Sequence, residues 1–267
     1  MLNNEIPKLI HYCWFGKTAK PKLVQDCIAS WKVHFDGYEV VEWNEVNYTS
    51  EHPFFLSAID KKMWAFASDY ARLDILQQYG GIYLDTDLLI IKPFTDLLTN
   101  KVNIGAESIE YVNGAFIATC KKHSYIADCL SYYDEVIVSS TEDQFLMQIT
   151  IPIIMTKILF EKYIHKIRFD KIIDENEIRI LPTEYFYPLP YLERHNLNNY
   201  TGYLRDSSVA VHLWSASWKK YSALYYFEHK QYFNGFYELI QEIKNDKITL
   251  NKKYVKKLLK VIFNIHI

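Results

Sequence analysis

The chain has 267 residues, 49% of them hydrophobic, and its 30 basic and 32 acidic side chains leave a net charge of −2. That apolar share can build a sizeable core, which excludes an intrinsically disordered chain. No basic excess marks a nucleic-acid binder, so no nucleic acid is expected among its partners.

The 22 Tyr, 15 Phe and 6 Trp bury area and also stack on sugars and bases, so composition alone does not separate core from site. Cys13, Cys27, Cys120 and Cys129 show no CxxC spacing. A chain with this much core needs no disulfide scaffold, and reduced thiols are expected. Residues 1–8 include Glu5 and lack an apolar signal core, and the run Ile149 to Leu159 is too short for a membrane span. The expected location is the cytoplasm.

In chain order, Ile6 to Phe15 is a β-rich run closed by Gly16, and reads as the first strand of a buried sheet. Leu23, Cys27, Ile28 and Trp31 recur at helical spacing within Pro21 to Phe35. Tyr38 to Trp43 is a second strand, and this order favours an α/β sheet. A long helix is predicted over Lys61 to Tyr79, with Gly80 as a left-handed cap, followed by a short strand at Ile82 to Asp85. Further strands are expected at Asn103 to Glu107, Gly114 to Thr119, Ile178 to Pro182 and Val209 to Leu213. A helix is expected near Gln144 to Tyr163, a Tyr/Pro-rich loop up to Tyr191, and a helical tail from Ser222.

The chemistry concentrates in SDYARLDILQQYGGIYLDTDLLIIKP, Ser68 to Pro93. Asp85 and Asp87 stand two apart at the end of an apolar strand, so both carboxylates can face one ligand. Such a pair suits a hard divalent cation that keeps positions open for phosphate oxygens; a solvated turn is the duller alternative. Upstream, Ser68, Asp69 and Arg72 share one helix face. They form either a surface ion pair or a polar cluster that reads sugar hydroxyls.

SDYARLDILQQYGGIYLDTD resembles the signature of glycosyltransferase family 32, the DXD sugar-transferase family, and is similar to the catalytic domains of the clostridial glucosylating toxins. IPKLIHYCWFG, Trp31 and YEVVEWNE match the same families over roughly the first 120 residues, and HLWSASW does so near the C-terminus. The resemblance implies a GT-A fold: a Rossmann-like nucleotide-binding α/β domain with a central mixed sheet and additional C-terminal helices. It implies one domain over 1–267, with residues 1–120 holding the nucleotide-sugar, 121–221 forming the acceptor side and closing loop, and 222–267 the helical tail.

It further implies Mn²⁺ or Mg²⁺ held by Asp85, Asp87 and His212. Trp14 would stack on the base, Asp69 and Arg72 would bind the donor sugar and its phosphate side, and Ser217 and Trp218 would close over the diphosphate. Asn113 and the pair Asp143-Gln144 resemble segments that line the donor pocket. Asp69, Arg72, Asp85 and Asp87 are thus the expected catalytic set. His11 reads as a packed strand histidine. Where the toxins carry WIGG this chain has WFGK, one glycine fewer.

The expected function is metal-dependent, retaining transfer of a sugar from a nucleotide-sugar, a UDP-sugar first, to a saccharide or lipid-linked acceptor in bacterial surface polysaccharide (capsule) synthesis. A GDP-mannose-dependent mannosyltransferase of the same fold is the nearest alternative. A nucleotidyltransferase expects a Gly/Arg-rich phosphate loop, and a non-catalytic sugar-binding module would not need the GG–strand–DxD arrangement. In the tail, Val255, Leu258, Leu259 and Ile262 form an apolar helical face flanked by Lys253, Lys256, Lys257 and Lys260. Peripheral membrane contact through this basic helix is one expectation, and docking on the core the other.

Overall fold

The computed structural model describes residues 5–137, 150–165, 168–215, 223–228, 232–244, 248 and 251–263. They fall into two compact units, Met1–Ser215 and Ala216–Ile267.

Among the described residues the first unit has nine strands: β1 (Leu9–Cys13), β2 (Glu39–Trp43), β3 (Gly81–Leu84), β4 (Leu88–Ile90), β5 (Val102–Ala106), β6 (Val112–Thr119), β7 (Ile173–Glu175), β8 (Ile178–Leu181) and β9 (Ala210–His212). Seven form one sheet in the order β2-β1-β3-β6-β5-β8-β7. β1 runs parallel to β2 and β3, while β6 is antiparallel to both of its neighbours. The sheet is therefore mixed, as expected for the GT-A class. β4 and β9 pair separately, antiparallel, with Leu88 opposite His212.

Helices α1 (Lys22–His34), α2 (Pro53–Asp60), α3 (Trp64–Tyr79), α4 (Ser124–Ile137) and α5 (Ile151–Ile158) accompany these strands. Period-two alternation divides the core. Ile82 and Leu84 join Trp31 and Val211 on one face of the sheet, while Tyr83 joins Leu73 and Leu76 on the other. α3 carries apolar residues on nearly all sides and is buried along its length, from Phe66 to Leu76.

Several elements differ from the sequence-based expectation. The predicted helix over Lys61 to Tyr79 starts only at Trp64, because Lys61 to Met63 cap the preceding α2. Helices α2 and α4 were not anticipated. The Tyr/Pro-rich stretch contains a helical turn at Thr183–Phe186 and 3₁₀ turns over Tyr191–Tyr203. The four cysteines are free and buried.

The Gly80-Gly81 step carries the chain from α3 straight into β3. Gly80 has φ +64° and Gly81 φ +102°. A Cβ on Gly81 would stand 2.7 Å from the Leu9 carbonyl oxygen. Gly81→Ala combines a left-handed backbone with a clash against β1, and is expected to cost about 2–5 kcal/mol. Urea unfolding checks this; a loss below about 1 kcal/mol would mean that the strand accommodates the methyl group.

The second unit contains α6 (Ala223–Glu228), α7 (Tyr232–Lys244) and α8 (Lys252–Phe263). Buried Glu242 accepts hydrogen bonds from the Ala223 N–H at 3.2 Å and the Tyr254 hydroxyl at 3.4 Å, tying the three helices together. Gly235 leaves room for the Phe227 ring, which a Cβ there would meet at 2.8 Å. Among the described residues no helix is long and apolar enough to cross a membrane.

Candidate active site

The site lies at the C-terminal ends of β1 and β3. Their register, with His11 opposite Tyr83, places Cys13 and Trp14 beside the exit of β3. There Asp85 and Asp87 occupy a tight turn, closed by the Leu88 N–H donating to the Asp85 carbonyl at 2.9 Å. The turn links β3 to β4 in the other sheet. The two carboxylates converge because the chain bends there, and not through strand alternation as the spacing suggested.

The β4–β9 pairing brings His212 to the same point. His212 Nε2 lies 2.9 Å from Asp87 Oδ1. The Ser215 N–H and hydroxyl donate to Asp87 Oδ2 at 2.8 and 3.0 Å. Trp214 has φ +50°, the left-handed turn that lets the chain wrap around Asp87. Its indole N–H is fixed on the Leu189 carbonyl at 2.7 Å.

Burial alone would raise the Asp87 pKa, but the charge and hydrogen bond of His212 and the two bonds from Ser215 outweigh it and hold the group at about 2. His212 shifts the other way: burial lowers its pKa, and Asp87 more than offsets that. The stability linked to Asp87 is present above its unfolded value and lost as pH falls toward 2. That linked to His212 is present below its unfolded value and lost as pH rises through the raised folded one. The pair therefore stabilises metal-free protein most between about pH 4 and 6.5. Thermal unfolding of the chelated protein and of His212→Gln should differ most in that window; a difference that instead widens toward pH 9 would contradict the assigned pair.

A second cluster backs the first. Arg72 Nη2 is 2.8 Å from Asp69 Oδ1, and Nη1 is 3.3 Å from Asp85 Oδ1 and donates to the Gly114 carbonyl at 2.8 Å. The guanidinium also lies 4.7 Å from the Tyr83 ring. With Arg72 only 4% and Asp69 only 8% exposed, the surface ion-pair alternative is excluded. Burial pushes Asp69 up to about 6, with Arg72 pulling against it and the like charge of Asp85 adding to it.

Asp85, Asp87 and His212 offer one ligand atom each, all within 4.8 Å of one another. The fit to a cation is independently indicated by charge: Asp69, Asp85 and Asp87 face one guanidinium and one imidazole. His212 Nδ1 is moreover buried without a partner among the described residues. Two carboxylates and an imidazole suit Mn²⁺ or Mg²⁺.

The other expected residues are placed as follows. Trp14 is half-buried, its indole N–H donating to the Thr18 carbonyl at 2.8 Å, with Lys20 Nζ 5.8 Å from its ring centre. At the missing glycine of WFGK, Lys17 takes the left-handed φ of +55° itself, after Gly16 at +97°. Asn113 lies on β6 and donates to Glu107. His11 is buried, its Nε2 bonding the Gly80 carbonyl at 2.8 Å and its Nδ1 accepting from Trp43 at 3.1 Å, as a packed strand histidine should. Asp143, Gln144, Ser217 and Trp218 lie outside the described residues. The sequence reading missed Ser215, although HLWSASW contains it, and Glu107, which it assigned only to a strand end.

The strand ends of this mixed sheet thus gather an acidic pair, a histidine and a buried arginine. Residues 21–108 match the model of the glycosyltransferase sugar-binding region containing the DXD motif. It is similar to lactosylceramide 4-alpha-galactosyltransferase of Mus musculus, 32% identical over 159 residues, covering 55% of this chain and 40% of that protein. It is also similar to inositol phosphoceramide mannosyltransferase 1 of Schizosaccharomyces pombe, 28% identical over 131 residues, or 46% and 41% of the two chains. The chain thus spans about 40% of the length of these curated relatives. Among solved structures, the PaToxG glycosyltransferase aligns with a TM-score of 0.47 at 19% identity, over 59% of this chain and 69% of that one.

Proposed function

We propose that this glycosyltransferase is a divalent-metal-dependent, retaining enzyme that moves a sugar from a UDP-sugar to a saccharide acceptor in bacterial surface polysaccharide synthesis. The convergence of Asp85, Asp87 and His212 beside the Arg72 cluster carries this reading. The ceramide-containing names of both relatives favour a lipid-linked acceptor. The exposed Val255 and Leu259 beside the lysines of α8 suit contact with an anionic membrane surface. The mannosyltransferase relative keeps GDP-mannose as the alternative donor.

When bound, the cation supplies Lewis-acid stabilisation of the departing diphosphate. Asp85, Asp87 and His212 would hold it, and Ser215 keeps the Asp87 carboxylate in place. Arg72 fixes Asp85 and adds positive charge to the pocket. In the transfer, the bond between the anomeric carbon and the phosphate oxygen breaks with its electron pair leaving on the phosphate. The acceptor oxygen bonds to the same face of that carbon, and its proton passes to the leaving phosphate. Front-face substitution needs no nucleophilic carboxylate from the protein. A panel of UDP- and GDP-sugars with Mn²⁺, followed by UDP or GDP release, tests this. A lectin would give no turnover, and a nucleotidyltransferase would give pyrophosphate.

Trp14→Ala should weaken UDP binding by about 1–3 kcal/mol if the ring stacks on the base. Calorimetry reads the change, and an unaltered affinity rejects the stacking role.

A further inference from the structure

Glu107 is a carboxylate of the pocket that the metal site does not use. It follows β5, whose pairing with β6 shifts register between Ile104 and Gly105. The extra residues lie on β6, where Ile104 faces Ile117 but Gly105 faces Asn113, and this offset brings Asn113 beside the end of β5. The Glu107 N–H then closes the hairpin on the Tyr111 carbonyl at 2.9 Å.

Its side chain accepts a hydrogen bond from Asn113 Nδ2. Asn113 Oδ1 in turn accepts from the Ala115 N–H at 2.7 Å. The amide is clamped at both ends, with its second N–H uncommitted among the described residues. Glu107 is close enough to His212 and Tyr187 to favour the protonated form of both. It nevertheless stays outside the three-residue ligand cluster of Asp85, Asp87 and His212. Burial pushes its carboxyl up, and the Asn113 bond and His212 oppose that only in part. A half-buried carboxylate held by one neutral amide is a costly way to brace a hairpin, which a glutamine would brace as well. The negative charge therefore calls for a ligand.

We propose that Glu107, clamped to Asn113, binds hydroxyl groups of the transferred sugar, so that this pair sets which hexose the enzyme accepts. A carboxylate accepts from sugar O–H groups while the free amide N–H donates to a neighbouring hydroxyl oxygen, a match for a vicinal diol. This rests on the nucleotide-sugar reading above.

The test compares UDP, UDP-galactose and UDP-glucose by calorimetry in the presence of Mn²⁺, on the full chain and on E107Q. Glutamine keeps an oxygen for Asn113 and removes only the charge. UDP affinity should stay unchanged, the affinity for the preferred UDP-hexose should fall by about ten- to a hundredfold, and the preference between the two hexoses should narrow. Equal losses for UDP and UDP-hexose would place Glu107 on the nucleotide or metal and overturn the inference, as would no loss at all. If the unaltered chain binds neither UDP-hexose, the donor reading itself fails and takes the inference with it. Should E107Q not fold, E107D, which keeps the charge but withdraws it by one methylene, reads the same difference between UDP and UDP-hexose.

Discussion

Asp87→Asn should remove metal-dependent turnover by at least about a hundredfold while leaving the fold in place. The Asp87 carboxylate is the meeting point of the site, engaged by His212 on one oxygen and by Ser215 on the other. An amide in its place lacks the charge a divalent ion requires and sets an N–H₂ group where an acceptor stood. The backbone around it is held by other bonds, from Leu88 N–H to the Asp85 carbonyl and from Leu213 N–H to the Asp87 carbonyl, each at 2.9 Å. Circular dichroism should therefore stay close to that of the unaltered chain, while thermal unfolding shifts down by the stability that the Asp87–His212 pair supplies. Near-normal turnover with an unchanged metal requirement would remove Asp87 from the metal site.

Arg72→Met should act on the fold as well as on activity. It strips the guanidinium from Asp69, Asp85 and the Gly114 carbonyl at once. Breaking one side of a buried pair leaves an uncompensated charge and costs about 3–5 kcal/mol. Asp69 already sits at about 6 through burial, and without Arg72 it moves further up. A carboxyl whose folded pKa lies above its unfolded value costs stability as pH rises through that interval. The loss in Arg72→Met, measured by urea unfolding, should therefore be larger at pH 8 than at pH 5. A loss below about 1 kcal/mol, or one independent of pH, would show that Arg72 is not the counter-charge of this pocket.

Much of this arrangement is legible in the sequence because it is local. The Gly80-Gly81 step, the apolar β3 and the Asp85/Asp87 pair lie within eight residues, and their chemistry follows from spacing and residue type. His212 is legible only by resemblance, since it reaches Asp87 through the β4–β9 pairing across 125 positions. Ser215 escapes because its role depends on the left-handed turn at Trp214, a conformation that tryptophan does not advertise. Glu107 escapes because it lies just past the end of β5, and its partner Asn113 reaches it only through the register offset on β6. The helices α2 and α4 were missed for a different reason: their apolar residues include many Phe and Tyr, whose spacing in sequence reads equally as strand.

In the proposed function Asp85, Asp87 and His212 hold one divalent cation against a nucleoside diphosphate. Mn²⁺ titrated calorimetrically into the chain with UDP present tests it most directly. One Mn²⁺ per chain, bound far more weakly when UDP is left out and lost in Asp87→Asn, is the predicted result; equal Mn²⁺ binding by the unaltered chain and by Asp87→Asn would contradict it.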